Sequence, residues 1–395
     1  MMTFFGRFLF VVALSFHRIV FKKPLKNLCR NRQSIKHRLN SLYLVNAILL
    51  KNYGQLTLMG KIYLAAIFIL VFILGFRKPQ SPSRNFSIKQ LAPGVWAALQ
   101  NDKGGHAISN AGIIDLGNKT LVFDAFINPD AALELKQTAE QLTKHKVSFV
   151  VNSHFHDDHI RGTQAFVPGA LIISTEWTKN EIQKTEPDEQ AWAKKNISAR
   201  LDKAKQQLRS ASSDEKEEAM MWLGYFEAIS QSLPKLKTVL PDVTFKDSMW
   251  IHGSKRSLLL LECKNAHTGS DVVMVLPKEG IAFMGDVLFV QRHPWLSDGD
   301  ADSWKRHLEH FNSDTSLKQF VPGHGPIAGR EALEDMIDYI RDLQQMAAQA
   351  IRNREPDSVF IKRTVLPQYK NWWYGRFYPA NLDFVYAKAK SKNKN

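Results

Sequence analysis

The sequence predicts an α/β fold in which strands and helices form layers. Short apolar runs typical of buried strands alternate with segments of helical spacing, and turn residues separate them. Side chains able to bind a metal follow several of these runs directly. An order of strand, helix and strand, with functional residues at the strand ends, is typical of a layered α/β architecture.

The first elements after the N-terminal region are strands and a helix. Residues 94–96 and 112–123 have strand-like patterns, and the second stretch is predicted to be a hairpin that turns at Gly117 and Asn118. Residues 129–144 have helical spacing, with Pro129 at the position favoured for a helix start. Further strands are expected at residues 147–151 and 170–174.

The region from about residue 177 to 234 is predicted to be a helical insertion of two or three helices. It is rich in Lys, Glu, Gln and Ala and poor in β-branched residues. Two roles remain open for it, a roof over the active site that selects substrates, or simple packing onto the rest of the domain. Its apolar faces come from Trp192, Met220, Met221, Trp222, Tyr225 and Phe226.

Four residues that could bind a metal stand close together after the strand at 147–151. They are His154, His156, Asp158 and His159. Three neighbouring imidazoles repel one another when protonated and lose hydration when buried, and a bound Zn²⁺ removes both penalties.

Three further candidates follow later apolar runs, namely His267, Asp286 and His324. A lone His after a strand is usually structural, and a Gly-Asp pair is common in turns. The ordered set of seven at strand ends is instead typical of a metal site.

This ordered set resembles the signature of the metallo-β-lactamase superfamily, over residues from about 86 to 390. The resemblance implies an αββα metallo-β-lactamase sandwich with a helical insertion and two zinc ions per chain. It implies that His154, His156 and His267 hold one zinc. It further implies that Asp158, His159 and His324 hold the other and that Asp286 bridges the pair.

Two positions bear on the metal and the family branch. Imidazole and carboxylate ligands suit Zn²⁺, with Fe and Mn as outside candidates. The related di-iron oxidoreductases carry Glu where this chain has His156, which favours zinc and hydrolysis. The class B β-lactamases carry Cys or Ser where this chain has Asp286, whereas glyoxalase II-like and general hydrolases carry Asp.

The resemblance also implies a mechanism. Two zinc ions lower the pKa of a shared water to near 7, so that a bridging hydroxide attacks the substrate. Asp158 is expected to orient this hydroxide or to pass its proton to the leaving group. Asp124 follows the strand-like residues 120–123 and is expected to hold a ligand imidazole; a helix N-cap is the alternative role.

Three residues are candidates for contacting the substrate. Arg161 stands two residues after His159, and Arg292 and His293 follow Asp286 in a loop expected to pass the metals. Either of the latter two would bind an anionic group, or the loop is merely solvated. The dense aromatic cluster at residues 372–378 is interpreted as core packing or a partner surface.

The net charge of +15 is confined to the N-terminal region. The first hundred residues contain 15 Lys or Arg and no acidic residue, so the remainder carries 38 basic and 38 acidic residues. A neutral catalytic region lacks the basic surface of a nucleic-acid enzyme, and a small-molecule substrate is expected instead.

The N-terminal region is predicted to direct export. Residues 62–76 are a 15-residue apolar run, short for a spanning helix of about 20 residues but suited to a signal peptide. Residues 59–78 are therefore predicted to be a signal peptide or membrane anchor, 79–88 a tether and 89–390 the catalytic domain. Met59 is the expected translation start, which makes residues 1–58 an upstream extension or, if translated, a first membrane segment.

Export would place the catalytic domain in the periplasm, or outside the cytoplasm on a membrane anchor. Only two cysteines occur, Cys29 and Cys263, so no disulfide framework is expected, and Cys263 is predicted to be a buried, inert thiol.

The sequence thus predicts an exported dinuclear zinc hydrolase that cleaves a small amide, lactam or ester. Two alternatives stay open, a glyoxalase II-like thioester hydrolase and a non-catalytic zinc-binding protein.

Overall fold

Two β-sheets pack against each other at the centre of the computed structural model, which describes residues 83–393. The first sheet has seven strands in chain order. Strands β1 to β4 pair antiparallel, and β4 to β7 pair parallel. The strands are β1 (Phe86–Ala92), β2 (Val95–Gln100), β3 (Ala111–Asp115), β4 (Thr120–Phe123), β5 (Val147–Val151), β6 (Leu171–Thr175) and β7 (Val243–Phe245).

The second sheet has five strands in the order β12-β11-β10-β9-β8. Its pairs are antiparallel except for β11 and β12, which run parallel. The strands are β8 (Ser248–His252), β9 (Ser257–Lys264), β10 (Ser270–Leu276), β11 (Ile281–Phe289) and β12 (Gln319–His324).

Among residues 83–393, eight α-helices cover the sheets or extend from them. They are α1 (Pro129–Thr143), α2 (Asp157–Ile160), α3 (Glu176–Ser210), α4 (Lys216–Ser232), α5 (Ala301–Ser313), α6 (Glu331–Arg352), α7 (Asp357–Phe360) and α8 (Tyr378–Lys392). Helix α1 begins where Pro129 predicts, and the side chain of Asn128 caps it by accepting from the backbone N–H groups of Asp130 and Ala131.

Alternating burial along the strands produces the layers. In β3, Ile113 packs towards α1 and Ile114 packs between the sheets, where it joins Leu260 and Phe283 of the second sheet. On the far side of the second sheet, α5, α6 and α8 cover a core that includes Trp304 and Leu343. The order helix, sheet, sheet, helix confirms the predicted αββα sandwich.

The hairpin predicted at Gly117 and Asn118 is also observed. Asp115 of β3 pairs with Thr120 of β4, and Gly117 has φ +102°, a conformation that favours glycine. The predicted insertion contains two long helices, α3 and α4, joined by a short loop.

The structure changes one predicted boundary. Strand β1 begins at Phe86, so the last three residues of the predicted tether, 86–88, belong to the first sheet. Before β1, the Ser83 hydroxyl and the Asn85 amide both donate to Glu134 of α1, which fixes the start of the domain. Cys263 is buried, as predicted.

The predicted upstream extension, the predicted signal or anchor and residues 79–82 of the tether lie outside the described residues. Among residues 83–393, no helix combines the length and apolar character needed to cross a membrane.

Candidate metal centre

The seven predicted ligands come from four separate segments of the chain. His154 and His156 lie in the loop after β5, and helix α2 carries Asp158 and His159. His267 lies in the turn between β9 and β10, and the last residue of β12 is His324. The seventh ligand, Asp286, lies in β11.

The position of Asp286 differs from the expected strand end, because β11 continues to Phe289. The register between β11 and β12 shifts around Gly285, which has φ +50°. Such an irregularity redirects the side chains beside it. A bulge inside a strand, rather than a strand end, therefore places this carboxylate.

The first group of ligand atoms belongs to His154, His156, His267 and Asp286. The Nε2 atom of His267 lies 3.0 Å from Nδ1 of His156. The Oδ2 atom of Asp286 lies 3.5 Å from Nε2 of His267 and 3.9 Å from Nε2 of His154. Each of these four side chains offers one ligand atom, and the four atoms lie within 4.8 Å of one another, close enough to bind a single ion.

The second group belongs to Asp158, His159 and His324. The Oδ2 atom of Asp158 lies 3.2 Å from Nε2 of His324 and 3.7 Å from Nε2 of His159. The carboxylate of Asp286 reaches this group too, with Oδ1 3.1 Å from Nε2 of His159 and Oδ2 3.4 Å from Nε2 of His324. Asp286 therefore stands between the two groups.

The residues of both groups fit a bound cation. Nε2 of His154, Nε2 of His159 and Oδ1 of Asp286 are buried and make no hydrogen bond with any described residue. A buried polar atom without a partner is costly. A cation in the first group would satisfy Nε2 of His154, one in the second group would satisfy Nε2 of His159, and the carboxylate of Asp286 lies within reach of both. Five imidazoles and two carboxylates form a donor set suited to Zn²⁺.

The absence of a side chain at Gly323 makes room for the carboxylate of Asp286. A Cβ atom at this position would lie 1.9 Å from Oδ1 of Asp286, so any side chain would displace the carboxylate. The Pro322-Gly323-His324 segment thus supplies one ligand and makes room for another.

Asp124 contacts the His159 ring at Nδ1, on the side away from the ligand atom Nε2. Its Oδ2 atom lies 2.8 Å from Nδ1 of His159, and its Oδ1 atom accepts from the backbone N–H of Ser153. Asp124 follows β4 with φ +61°, a backbone conformation more accessible to Asp than to most residues. It does not cap α1, because Asn128 does so.

Other ligands have outer partners that sequence reasoning missed. Nε2 of His156 lies 2.9 Å from Oδ2 of Asp298, which leaves Nδ1 for a metal. Nδ1 of His154 lies 2.9 Å from the Ser153 hydroxyl. Nδ1 of His324 lies 3.1 Å from the Ile108 carbonyl oxygen. Such contacts fix the orientation and tautomer of ligand imidazoles.

Burial and neighbouring charges lower the pKa of two ligand imidazoles and raise the pKa of two others. Burial holds the pKa of His154 well below its usual value and lowers that of His267 to about 3, so both rings are neutral donors. Burial also lowers the pKa of His159 and His324, but facing carboxylates outweigh it, Asp286 foremost, and hold both pKa values well above the usual range.

The carboxylates respond in the opposite sense. Burial would raise the pKa of Asp158, but the imidazoles of His159 and His324 outweigh it and lower the pKa to about 2. The same imidazoles hold the pKa of Asp286 well below its usual value despite burial. Both carboxylates are therefore ionised at neutral pH and available to a cation.

Comparison with known proteins agrees with this geometry. A family model described as the metallo-β-lactamase superfamily matches residues 104–356. This chain belongs to the metallo-β-lactamase superfamily. The match confirms the family and fold predicted from the histidine and aspartate pattern. Members of the superfamily are generally hydrolases, and they commonly bind zinc. No curated protein matches the chain.

Several solved metallo-β-lactamases resemble the chain at low identity. One from Pontibacter korlensis is 18% identical, with a TM-score of 0.48, and the match covers 65% of this chain and 99% of that one. One from Erythrobacter litoralis is 17% identical, with a TM-score of 0.47 and coverage of 66% and 99%. FIM-1 from Pseudomonas aeruginosa, in its mono-zinc form, is 18% identical, with a TM-score of 0.47 and coverage of 67% and 98%.

Two of the seven ligands give the centre of this superfamily member access to solvent. The side chains of His156 and Asp158 are 19% and 13% exposed, whereas the other five ligands are at most 6% exposed. Solvent therefore reaches the centre mainly over His156 and Asp158.

Arg161 does not reach this opening, contrary to the expectation that it contacts substrate. Its guanidinium is buried and pairs with Asp157 at 2.7 Å and with Glu186 of α3 at 2.8 Å. The helical turn after His159 directs it towards the insertion. Arg161 therefore links the loop that carries the ligands to α3.

Arg292 and His293 are likewise buried rather than presented to substrate. Arg292 pairs with Asp102 at 3.0 Å and lies over the ring of Trp373. Nδ1 of His293 lies 3.0 Å from the Tyr339 hydroxyl, and burial lowers the pKa of His293 to about 4, so the ring is neutral. The contacts with Trp373 and Tyr339 hold the loop after β11 against the C-terminal part of the domain, and the pair with Asp102 connects it to the segment after β2.

Proposed function

We propose that this chain is an exported hydrolase that uses two zinc ions to cleave a small amide, lactam or ester. The observation that carries the proposal is the position of Asp286, whose two oxygens lie within 3.1 to 3.5 Å of imidazoles from both ligand groups. One carboxylate shared by two groups is the arrangement expected of a paired metal site.

In this proposal, His154, His156 and His267 would hold one zinc, and Asp158, His159 and His324 would hold the other. Asp286 lies where its carboxylate could contribute to both sites. When bound, zinc would polarise the substrate carbonyl and make water a nucleophile near neutral pH.

Asp158 is the residue of the chain best placed to move a proton. Its carboxylate is ionised and partly exposed, whereas that of Asp286 is buried between the groups. A carboxylate at the opening can take a proton from the attacking water and then pass the same proton to the leaving heteroatom. The buried imidazoles, by contrast, have no direct route to solvent.

The carboxylate of Asp286 also favours a second candidate, hydrolysis of a thioester in the glyoxalase II manner. The similarity to glyoxalase II-like hydrolases is that this chain has Asp286 where class B β-lactamases have Cys or Ser. A small-molecule substrate, rather than a nucleic acid, agrees with the balance of 38 basic and 38 acidic residues beyond residue 100.

Export is supported by the apolar run at residues 62–76 and by the absence of acidic residues in the first hundred. Cell fractionation combined with mass spectrometry of the native N-terminus tests it. A cytoplasmic protein would contradict export, and peptides from residues 1–58 would contradict a start at Met59.

The reaction is tested with purified, zinc-loaded protein on matched ester, amide, lactam, thioester and phosphodiester substrates. We expect turnover of an ester or amide that a chelator abolishes and that Asp158→Asn lowers by about 100-fold or more. Asp383→Asn, on an exposed part of α8, is the matched control and should retain activity.

Each other outcome has a definite meaning. Preference for the thioester would select the second candidate. Phosphodiester turnover would contradict the use of the neutral domain charge as an argument against nucleic-acid substrates. Failure of a fully zinc-loaded protein on every substrate would instead leave it a non-catalytic zinc-binding protein.

A further inference from the structure

The open side of the metal centre is bordered by aromatic rings from three distant segments. They are Trp222 and Tyr225 of α4, Trp295 in the loop after β11, and Tyr374 and Phe377 before α8, and together they are called the aromatic collar. Tyr374 is buried, and the other four are only partly buried.

The collar is continuous. The ring centroids of Trp295 and Phe377 are 5.4 Å apart, those of Phe377 and Trp222 are 5.7 Å apart, and those of Trp222 and Tyr225 are 5.8 Å apart, all edge to face. Tyr374 lies behind this row, 5.3 Å from Trp222 and 5.7 Å from Phe377. Distances and angles of this kind are typical of stabilising aromatic pairs.

Each end of the collar is hydrogen-bonded to a residue beside one of the two exposed ligands, His156 and Asp158. At one end, the indole N–H of Trp295 donates to Oδ2 of Asp298, the same oxygen that lies 2.9 Å from Nε2 of His156. At the other end, the hydroxyl of Tyr225 donates to Asp157, the neighbour of Asp158. His156 and Asp158 are the two exposed ligands, so the collar borders the path of the substrate.

A third contact ties the middle of the collar to the centre. The hydroxyl of Tyr374 lies 3.3 Å from Nδ1 of His324. The collar thus follows the centre from the His156 side, past His324, to the Asp158 side.

Trp222 is held in a fixed orientation. Its indole N–H donates to Oε1 of Glu218, which also accepts from the backbone N–H of Tyr374. The guanidinium of Arg376 lies over its ring, 3.7 Å from the centroid. A fixed aromatic surface binds an apolar group at a smaller entropic cost than a flexible one.

We propose that the aromatic collar binds an apolar, preferably aromatic, acyl group of the substrate while the scissile carbonyl lies over the metal centre. This inference rests on the proposed hydrolase function and specifies its substrate class. It assigns Trp222 and Phe377 the role of selecting substrates, and it gives the insertion a part in recognition through α4.

The test compares two 4-nitrophenyl esters, the acetate and the phenylacetate, and the two corresponding 4-nitroanilides. The leaving group is constant within each pair, so the ratio of kcat/KM reports acyl recognition. The zinc-loaded wild-type protein should prefer phenylacetyl over acetyl by at least about tenfold. Trp222→Ala and Phe377→Ala should bring this ratio close to one.

Two kinds of control accompany the test. Trp250→Ala removes a tryptophan that is 50% exposed on the edge strand β8 and whose ring stacks on His252, so it should leave the ratio unchanged. Trp222→Phe and Phe377→Leu keep an apolar side chain and should show intermediate ratios if the Ala variants misfold. An unchanged ratio in all folded collar variants would overturn the proposal.

A binding measurement separates this inference from the reaction. Phenylacetate should quench the tryptophan fluorescence of the zinc-loaded protein at lower concentration than acetate does, and Phe377→Ala should remove that difference. If phenylacetate binds more tightly than acetate but no substrate is hydrolysed, the role of the collar in binding is supported and the proposed hydrolase function fails. If hydrolysis occurs without either preference, the hydrolase stands and the collar proposal fails.

Discussion

The Oδ2 atom of Asp124 lies 2.8 Å from Nδ1 of His159, although the two residues come from the end of a strand and a short helix. This contact fixes the His159 ring so that Nε2 faces the second ligand group. Both side chains are fully enclosed, so the carboxylate interacts with the imidazole without competition from water.

Asp124→Asn should weaken binding at the second zinc position. The amide keeps the size of the side chain but loses the charge that orients and polarises His159. We expect a loss of about 10- to 100-fold in zinc affinity, measured by competition with a chelator. The same affinity as the wild-type protein would show that Asp124 does not act on the metal.

Gly323→Ala should disturb the centre through packing alone. The new Cβ would lie 1.9 Å from Oδ1 of Asp286, so the carboxylate must move. We expect destabilisation of roughly 1–3 kcal/mol and reduced zinc content, measured by chemical denaturation and elemental analysis. Gly375→Ala is the matched control, because no heavy atom lies within 4 Å of its added Cβ. Equal effects of the two changes would contradict the steric explanation.

Arg161→Met should destabilise the domain strongly without altering a ligand. It leaves Glu186 buried and without its cation, at an expected cost of about 3–5 kcal/mol in the free energy of unfolding. In contrast, Lys184→Met breaks only the pair that the exposed Lys184 makes with Glu181 and should have little effect. Urea denaturation of both variants checks the difference. A fully stable Arg161→Met protein would refute the proposed link between α3 and the ligand loop.

Zinc affinity should increase with pH across the neutral range. Facing carboxylates hold the pKa values of His159 and His324 well above 6.5, so both rings carry protons in the metal-free protein at neutral pH. Zinc must displace these protons, and binding therefore weakens as the pH falls. Calorimetry in buffers of different ionisation enthalpy should detect the released protons. Binding without proton release would contradict this assignment.

The raised pKa values of His159 and His324 should make the folding stability of the metal-free protein fall as the pH rises. A raised pKa in the folded state contributes stability that is complete below the unfolded value near 6.5 and is lost as pH rises through the folded value. This contribution from His159 and His324 should therefore decline with rising pH without zinc, while zinc-loaded protein gains stability. Thermal unfolding over a pH series, with and without zinc, measures both trends.

The layered α/β class and the candidate ligands could be predicted from local patterns of residues, whereas the αββα sandwich followed from the resemblance of those residues to the metallo-β-lactamase signature. Strand-like runs alternate in burial, and the loop at residues 154–159 contains four of the ligands within itself. His267 and His324 could be found because each follows an apolar run. Asp286 was found for the same reason, although a bulge within β11 rather than the end of the strand positions it.

The outer contacts could not be predicted because they join distant segments without a repeating pattern. Asp298 reaches His156 across 142 residues from a Ser-Asp-Gly-Asp stretch that is typical of an ordinary turn. The nearness of Arg161 to His159 in the sequence indicates a substrate contact, but the helical turn directs its side chain to α3. Tyr374 and Phe377 were interpreted as core or a partner surface, since their relation to the centre exists only in the folded chain.

Metal stoichiometry tests the central claim, that Asp286 joins two ligand groups into a paired zinc site. The wild-type protein, saturated with zinc and freed of excess metal, should contain two zinc ions per chain by elemental mass spectrometry. Asp286→Ala should retain at most one, while Asp383→Asn should retain both. One zinc or none in the saturated wild-type protein, or two zinc ions in Asp286→Ala, would contradict the claim.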